Sequence, residues 1–179
     1  SFIIVNNFED FSGNQLFQND TIIYDTISFK SRDNIPPDFI SGSAKIDSTV
    51  YLSVQNNPSE EARKICFIDL SINDNVFTDS LATSPIQASD FIVGIIQNGG
   101  SVNSGIIENI ELIESGQNEK DSIRFQIRFD EVPSGIENLF IRVANNNSIF
   151  DAGFNYMHSD STSDTLTIYD LRFPTIDST

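Results

Sequence analysis

Residues 123–130 read Ile123-Arg124-Phe125-Gln126-Ile127-Arg128-Phe129-Asp130, with an apolar side chain at every odd position and a polar one at every even position. Successive side chains of a β-strand point to opposite faces, so this period of two predicts a strand with one buried and one wet face. The same reading carries upstream to residues 44–55. There Ala44, Ile46, Val50, Leu52 and Val54 fall on one face, and Lys45, Asp47, Thr49, Tyr51, Ser53 and Gln55 on the other. Further strand candidates are Phe2–Val5, Thr21–Lys30, Lys64–Ile72, Phe91–Gln97, Ile106–Glu114, Ile136–Val143, Phe154–His158 and Thr165–Phe173. The expected total is about ten strands.

Turn chemistry separates these runs. Asn34-Ile35-Pro36-Pro37-Asp38, Asn56-Asn57-Pro58-Ser59, Asn73-Asp74-Asn75, Asn98-Gly99-Gly100, Pro133-Ser134-Gly135 and Asn145-Asn146-Asn147 all carry residues that favour turns. Only Pro58–Arg63 reads as helical, with Ser59 placed to cap a turn that begins at Glu60. Composition agrees. Ile, Phe, Thr, Val and Tyr number 63, whereas the better helix formers Ala, Leu, Met, Glu, Gln, Lys and Arg number 41. Without crossover helices a parallel sheet is disfavoured. The expected fold is all-β: an antiparallel, jelly-roll-like β-sandwich with at most one short helix. With 179 residues the chain is sized for one domain, expected over residues 1–173, with 174–179 as a C-terminal tail behind Pro174.

The formal net charge is -16, with 13 acids against 5 bases in residues 1–90 and the same balance in residues 91–179. A field of this sign repels phosphate backbones and anionic lipid, which argues against nucleic acid and membrane surfaces as partners. No apolar run approaches the ~18 residues of a membrane helix. The single cysteine, Cys66, excludes an internal disulfide and a cysteine zinc cluster, and its apolar strand setting reads as an inert core thiol. Ser1 at the start fits either trimming or removal of an initiator Met before a small residue; in the second case the chain is made without a secretion signal.

Candidate sites are few. His158, the one histidine, sits in Tyr156-Met157-His158-Ser159-Asp160, but adjacent strand residues face apart and a nucleophile triad must converge. Glu108, Glu111 and Glu114 read as a solvated strand face, without the alternating acid pattern of the jelly-roll glucanases, and tryptophan is absent. Arg124, Gln126 and Arg128 form a same-face row that could hold a carboxylate or an acidic sugar, or could pair across strands with the many acids. The jelly-roll polysaccharide lyases place a histidine where Arg128 stands, so their chemistry is not carried over. Tyr51 is the best single aromatic platform for a sugar. Calcium is the expected cation if any is bound, with two oxygen-rich loops. One comprises Asp69, Asn73, Asp74, Asn75 and Asp79, and the other runs from Ser159 to Asp164. Phosphate-binding glycine patterns are missing.

These readings lead to a non-enzymatic structural or interaction protein of an extracellular assembly. A virion or phage decoration, capsid- or tail-associated subunit is expected, with protein partners in a symmetric homo-oligomer. The alternatives are a carbohydrate-binding or adhesion module, with or without calcium, and a jelly-roll enzyme acting on polysaccharide.

Overall fold

A computed structural model describes residues 33–114 and 121–174. All of them belong to the unit Asp33–Thr179, the chain dividing after Arg32. The strand candidates Phe2–Val5 and Thr21–Lys30, and residues 175–179 of the expected tail, lie outside the described residues. In chain order the elements are β1 (Lys45–Ile46), α1 (Ser48–Val54), α2 (Glu60–Arg63), β2 (Ile65–Ile72), a 3-10 turn (Ala88–Asp90), β3 (Phe91–Ile96), β4 (Gly105–Glu114), β5 (Asp121–Phe129), β6 (Asn138–Val143) and β7 (Leu166–Thr167).

The strands form two antiparallel sheets, one ordered β1-β2-β5-β4 and the other β3-β6-β7. β2 and β5 pair without interruption from Ile65↔Arg128 to Ile72↔Asp121. This register pairs Cys66 with Ile127, Ile68 with Phe125 and Leu70 with Ile123, and these six are buried together with Ile72 and Phe129. β6 adds Leu139, Ile141 and Val143, and β3 adds Phe91, to the same core. The Phe91 and Phe125 rings meet edge to face, centroids 4.9 Å apart, so an aromatic pair links the two sheets directly. The alternation read from residues 123–130 is therefore the packing face of the molecule.

Seven strands are present among the described residues, against the expected ten, and two α-helices stand where at most one was expected. The main correction is residues 44–55. Only Lys45–Ile46 is strand, and Ser48–Val54 is helix. Val50 and Val54 are four residues apart, a spacing that fits a strand face and a helix face equally. Leu52 separates the two readings, and it is 64% exposed. Asp47 decides locally: its carboxylate accepts from Thr49 N at 2.9 Å, Val50 N at 3.4 Å and Thr49 Oγ1 at 2.6 Å, which caps the first turn. The helix at Glu60–Arg63 was expected, and Ser59 Oγ accepts from Ala62 N as its cap.

Phe154–His158 is not a strand. Phe154 has a φ of +70°, and Asn155 N donates to Asp151 Oδ1 at 2.8 Å, so a side chain takes the bond that a ladder would have used. Thr165–Phe173 shrinks to Leu166–Thr167, since Asp170 Oδ1 turns the chain by accepting from Arg172 N at 2.9 Å. The Asn98-Gly99-Gly100 turn forms as its composition predicts. Asn98 and Gly99 lie at φ +49° and +84°, and Gly100 N donates to Gln97 O at 2.7 Å. No helix among the described residues is long and apolar enough to cross a membrane.

Candidate functional site

The arginine row forms as predicted on the wet face of β5, but its donors are committed within the chain. Arg124 Nε and Nη2 donate to the two oxygens of Asp69 at 2.8 and 2.9 Å, and Nη2 also lies 2.9 Å from Asp47 Oδ2. Gln126 Nε2 donates to Glu108 Oε2 at 2.8 Å, and Arg128 pairs with Glu108 through Nε and with Glu61 at 3.3 Å. The hydrogen bond to Asp69 raises the Arg124 pKa further, and the Arg128 bond holds the Glu108 carboxyl below its ordinary value. Cross-strand bonds to Asp69 and Glu108, with ion pairs to Asp47 at the start of α1 and Glu61 of α2, occupy this face. A bound acidic sugar would have to displace them.

Tyr51 projects from α1 and not from a strand. Its hydroxyl donates to Asp170 O at 3.3 Å, and its ring packs 4.3 Å from that of Tyr169. The pair ties α1 to the chain after β7. Nearby, buried Arg63 donates from Nη1 to Leu171 O at 2.9 Å and sits 4.0 Å over the Phe173 ring. Both arrangements fasten the C-terminal stretch.

Three members of the expected calcium loop accept separate hydrogen bonds. Asp69 belongs to the Arg124 pair, Asn73 Oδ1 accepts from Asp38 N at 2.7 Å, and Asp79 accepts from Leu81 N at 2.8 Å and Ser84 N at 2.7 Å. Among the described residues Asp74 meets two other acids: its carboxylate and those of Asp33 and Asp151 come within 4.8 Å of one another. Each already serves the backbone. Asp33 Oδ1 accepts from Ile35 N at 2.9 Å, Asp74 Oδ1 from Asn75 N at 2.7 Å, and buried Asp151 takes both the Asn155 backbone N–H and its Nδ2. Asp33 and Asp151 escaped the sequence reading because they are distant in the chain and each sits in an ordinary turn.

Two further groups carry perturbed acidities. Burial pushes the Cys66 thiol up to about 12, which leaves almost no thiolate at neutral pH. Iodoacetamide is therefore expected to leave Cys66 unmodified in the native protein and to alkylate it fully in denaturant. Rapid native labelling, read by mass spectrometry, would contradict the buried assignment. Glu137 is completely buried at the mouth of β6. Its Oε1 accepts from Ser101 N at 2.7 Å, Val102 N at 3.2 Å and Ser134 Oγ at 2.8 Å; its Oε2 accepts from Ser134 N at 3.0 Å and Ile136 N at 3.3 Å. Burial alone would raise this carboxyl, but donors from Ser134, Val102 and Ser101 outweigh it and hold it down to about 2. The sequence carried the signal, because period two puts Glu137 on the face of Leu139, Ile141 and Val143.

One cleft of about 440 Å³ opens between residues 38–41 and 158–164, lined by Asp38, Phe39, Ser41, His158, Asp160 and Asp164 among others. It uses the second oxygen-rich loop of the sequence reading, joined to a segment that reading did not select. Asp164 Oδ2 accepts from Gly42 N at 2.6 Å and fastens the two walls together. His158 Nδ1 accepts from Asp160 N at 3.2 Å, which leaves Nε2 to carry the proton of the neutral ring. Comparison with protein-family models, curated proteins and solved structures finds no match for this chain.

Proposed function

We propose that this protein is a structural, non-enzymatic subunit of an extracellular assembly, of the kind that builds or decorates a virus or phage particle. Its copies associate through strand edges. The fold that goes with this reading is an antiparallel sandwich of jelly-roll type, and a single core fed from both sheets supports it.

The outer strand β4 carries the proposal. It is ten residues long, bonds to β5 on one side, and is the last strand of its sheet among the described residues. Ile106, Leu112 and Ile113 are 61%, 39% and 46% exposed. A long outer strand with apolar side chains in water is a template for pairing with another chain. Its acids do not defeat such pairing, since Glu108 is neutralised by Arg128 and Glu111 faces Arg124 in register. The occupant favoured here is a second copy of the chain, as in a symmetric particle.

The net charge of -16 opposes association at low ionic strength. Raising salt from about 0.02 M to about 0.5 M screens that repulsion over a few ångströms. Size-exclusion chromatography with light scattering is therefore expected to show a larger mass at high salt, with particles or rings in electron micrographs. Ile106→Lys with Ile113→Lys is expected to return the protein to monomer without lowering Tm. A monomer under every condition would overturn the proposal, as would assembly unaffected by the edge variant.

A further inference from the structure

We infer that the cleft between residues 38–41 and 158–164 binds the terminal sugar of a glycan that carries no acidic group. This inference does not depend on the assembly reading, since the cleft and β4 are separate surfaces with no shared residue.

Charge selects first. Asp38, Asp160 and Asp164 line the cleft, and none of the described lining residues is a lysine or arginine. Phosphate, sulfated or carboxylated ligands meet repulsion without a compensating cation. Polarity selects next. Phe39 and Ile40 are the apolar members of a wall otherwise made of carboxylates, hydroxyls and one imidazole, too little for a lipid or a flat apolar ligand. What remains is a polyol, whose O–H groups donate in pairs to carboxylate oxygens and whose C–H face rests on an aromatic ring.

The hydrogen-bonding inventory fits that ligand. Asp38 Oδ1 accepts from Phe39 N at 2.8 Å, and Asp164 Oδ1 takes a 3.4 Å contact from Ser41 Oγ, so with respect to the described residues both carboxylates keep lone-pair capacity. The Asp160 side chain is 89% exposed, and its Oδ2 lies 3.5 Å from His158 Nδ1 without a proton between them. With Nδ1 engaged as an acceptor, the imidazole offers Nε2–H to a sugar oxygen, and the hydroxyls of Ser161 and Thr162 can either give or receive. The walls are held in advance. Ser163 N donates to Ile141 O at 2.8 Å, Ser163 Oγ accepts from Ile141 N at 2.9 Å, and Phe39 bridges to Ile72 at the end of β2. A cleft fixed on both sheets loses little entropy when a ligand enters.

The test uses the full chain on an array of neutral, amino and acidic glycans, followed by calorimetric titration of each sugar type retained, with calcium or chelator present. Retention of neutral or amino sugars is expected, with acidic ones silent and calcium without effect. Asp160→Ala and His158→Ala touch exposed side chains outside the core, so each is expected to weaken binding roughly tenfold at unchanged Tm. An empty array, a preference for acidic glycans, binding that requires calcium, or wild-type affinity in both variants would each overturn the inference. The Ile106→Lys, Ile113→Lys variant is expected to bind the same sugars, which separates failure here from failure of the assembly reading.

Discussion

Replacing Glu137 with glutamine is expected to destabilise the protein by about 3 kcal/mol near neutral pH, and by progressively less as the solution is acidified. The carboxylate is completely buried and accepts backbone N–H groups from Ser101, Val102, Ser134 and Ile136. Glutamine keeps one acceptor oxygen and turns the other into an NH₂ group. Wherever that group lies, it faces a donor, so at least one buried N–H loses its partner. The acid dependence follows from the ionised group. Its folded pKa of about 2 lies below the ordinary 4.5, so the stabilisation is fully present above the unfolded value. As pH falls below about 4.5 the unfolded chain takes up the proton first, and the contribution fades until it is gone near 2. Holding the carboxyl from 4.5 down to about 2 corresponds to about 3 kcal/mol. Urea titrations of both proteins should give curves that lie apart at about pH 7 and converge towards about pH 3. A constant gap across that range would show that charge is not what Glu137 contributes. Gly100 belongs to the same arrangement. A Cβ added there would overlap Glu137 Oε1, so the turn after β3 can approach the carboxylate only as glycine.

Phe125→Ala is expected to cost about 3–5 kcal/mol, the range for emptying a fully buried phenylalanine site. Phe125 has no exposed surface, lies in the middle of β5, and touches Phe91 of the other sheet edge to face. Its loss opens a cavity where the two sheets touch ring to ring. Phe91→Ala is expected to be comparably severe, and the double variant to be milder than the sum by about 0.5–1.5 kcal/mol. Chemical denaturation of the four proteins completes the cycle. Strict additivity would mean that the sheets are not coupled through this pair.

How far the fold was legible depended on whether a residue's neighbours were local. In β5 the alternation named the buried positions correctly, because a strand's faces are set by its own backbone and one face met the core, whereas Phe67 of β2 and Phe140 of β6, read as core from their apolar character, lie half-buried on the opposite faces. Residues 44–55 failed because Val50 and Val54 satisfy two periodicities. The choice fell to the Asp47 cap and to Tyr51 packing on Tyr169, a contact with a residue more than a hundred positions away. The same limit governed the sites. Arg124, Gln126 and Arg128 were rightly placed on one face, but only the register of β5 against β2 and β4 matched them with Asp69 and Glu108.

The amino-acid sequence by itself determined an acidic, strand-dominated chain with an isoleucine- and phenylalanine-rich core, an unreactive buried thiol and turns at its Asn-Gly and Pro-Gly clusters. These follow from side-chain shape, charge and backbone preference, which act over a few residues. Tertiary structure alone decided which acids neutralise the arginines, where Asp33, Asp74 and Asp151 meet, and that residues 38–41 face residues 158–164 across a cleft. Such pairings depend on sheet register and loop closure, and no local pattern specifies them, because the partners are brought together only when the core has formed.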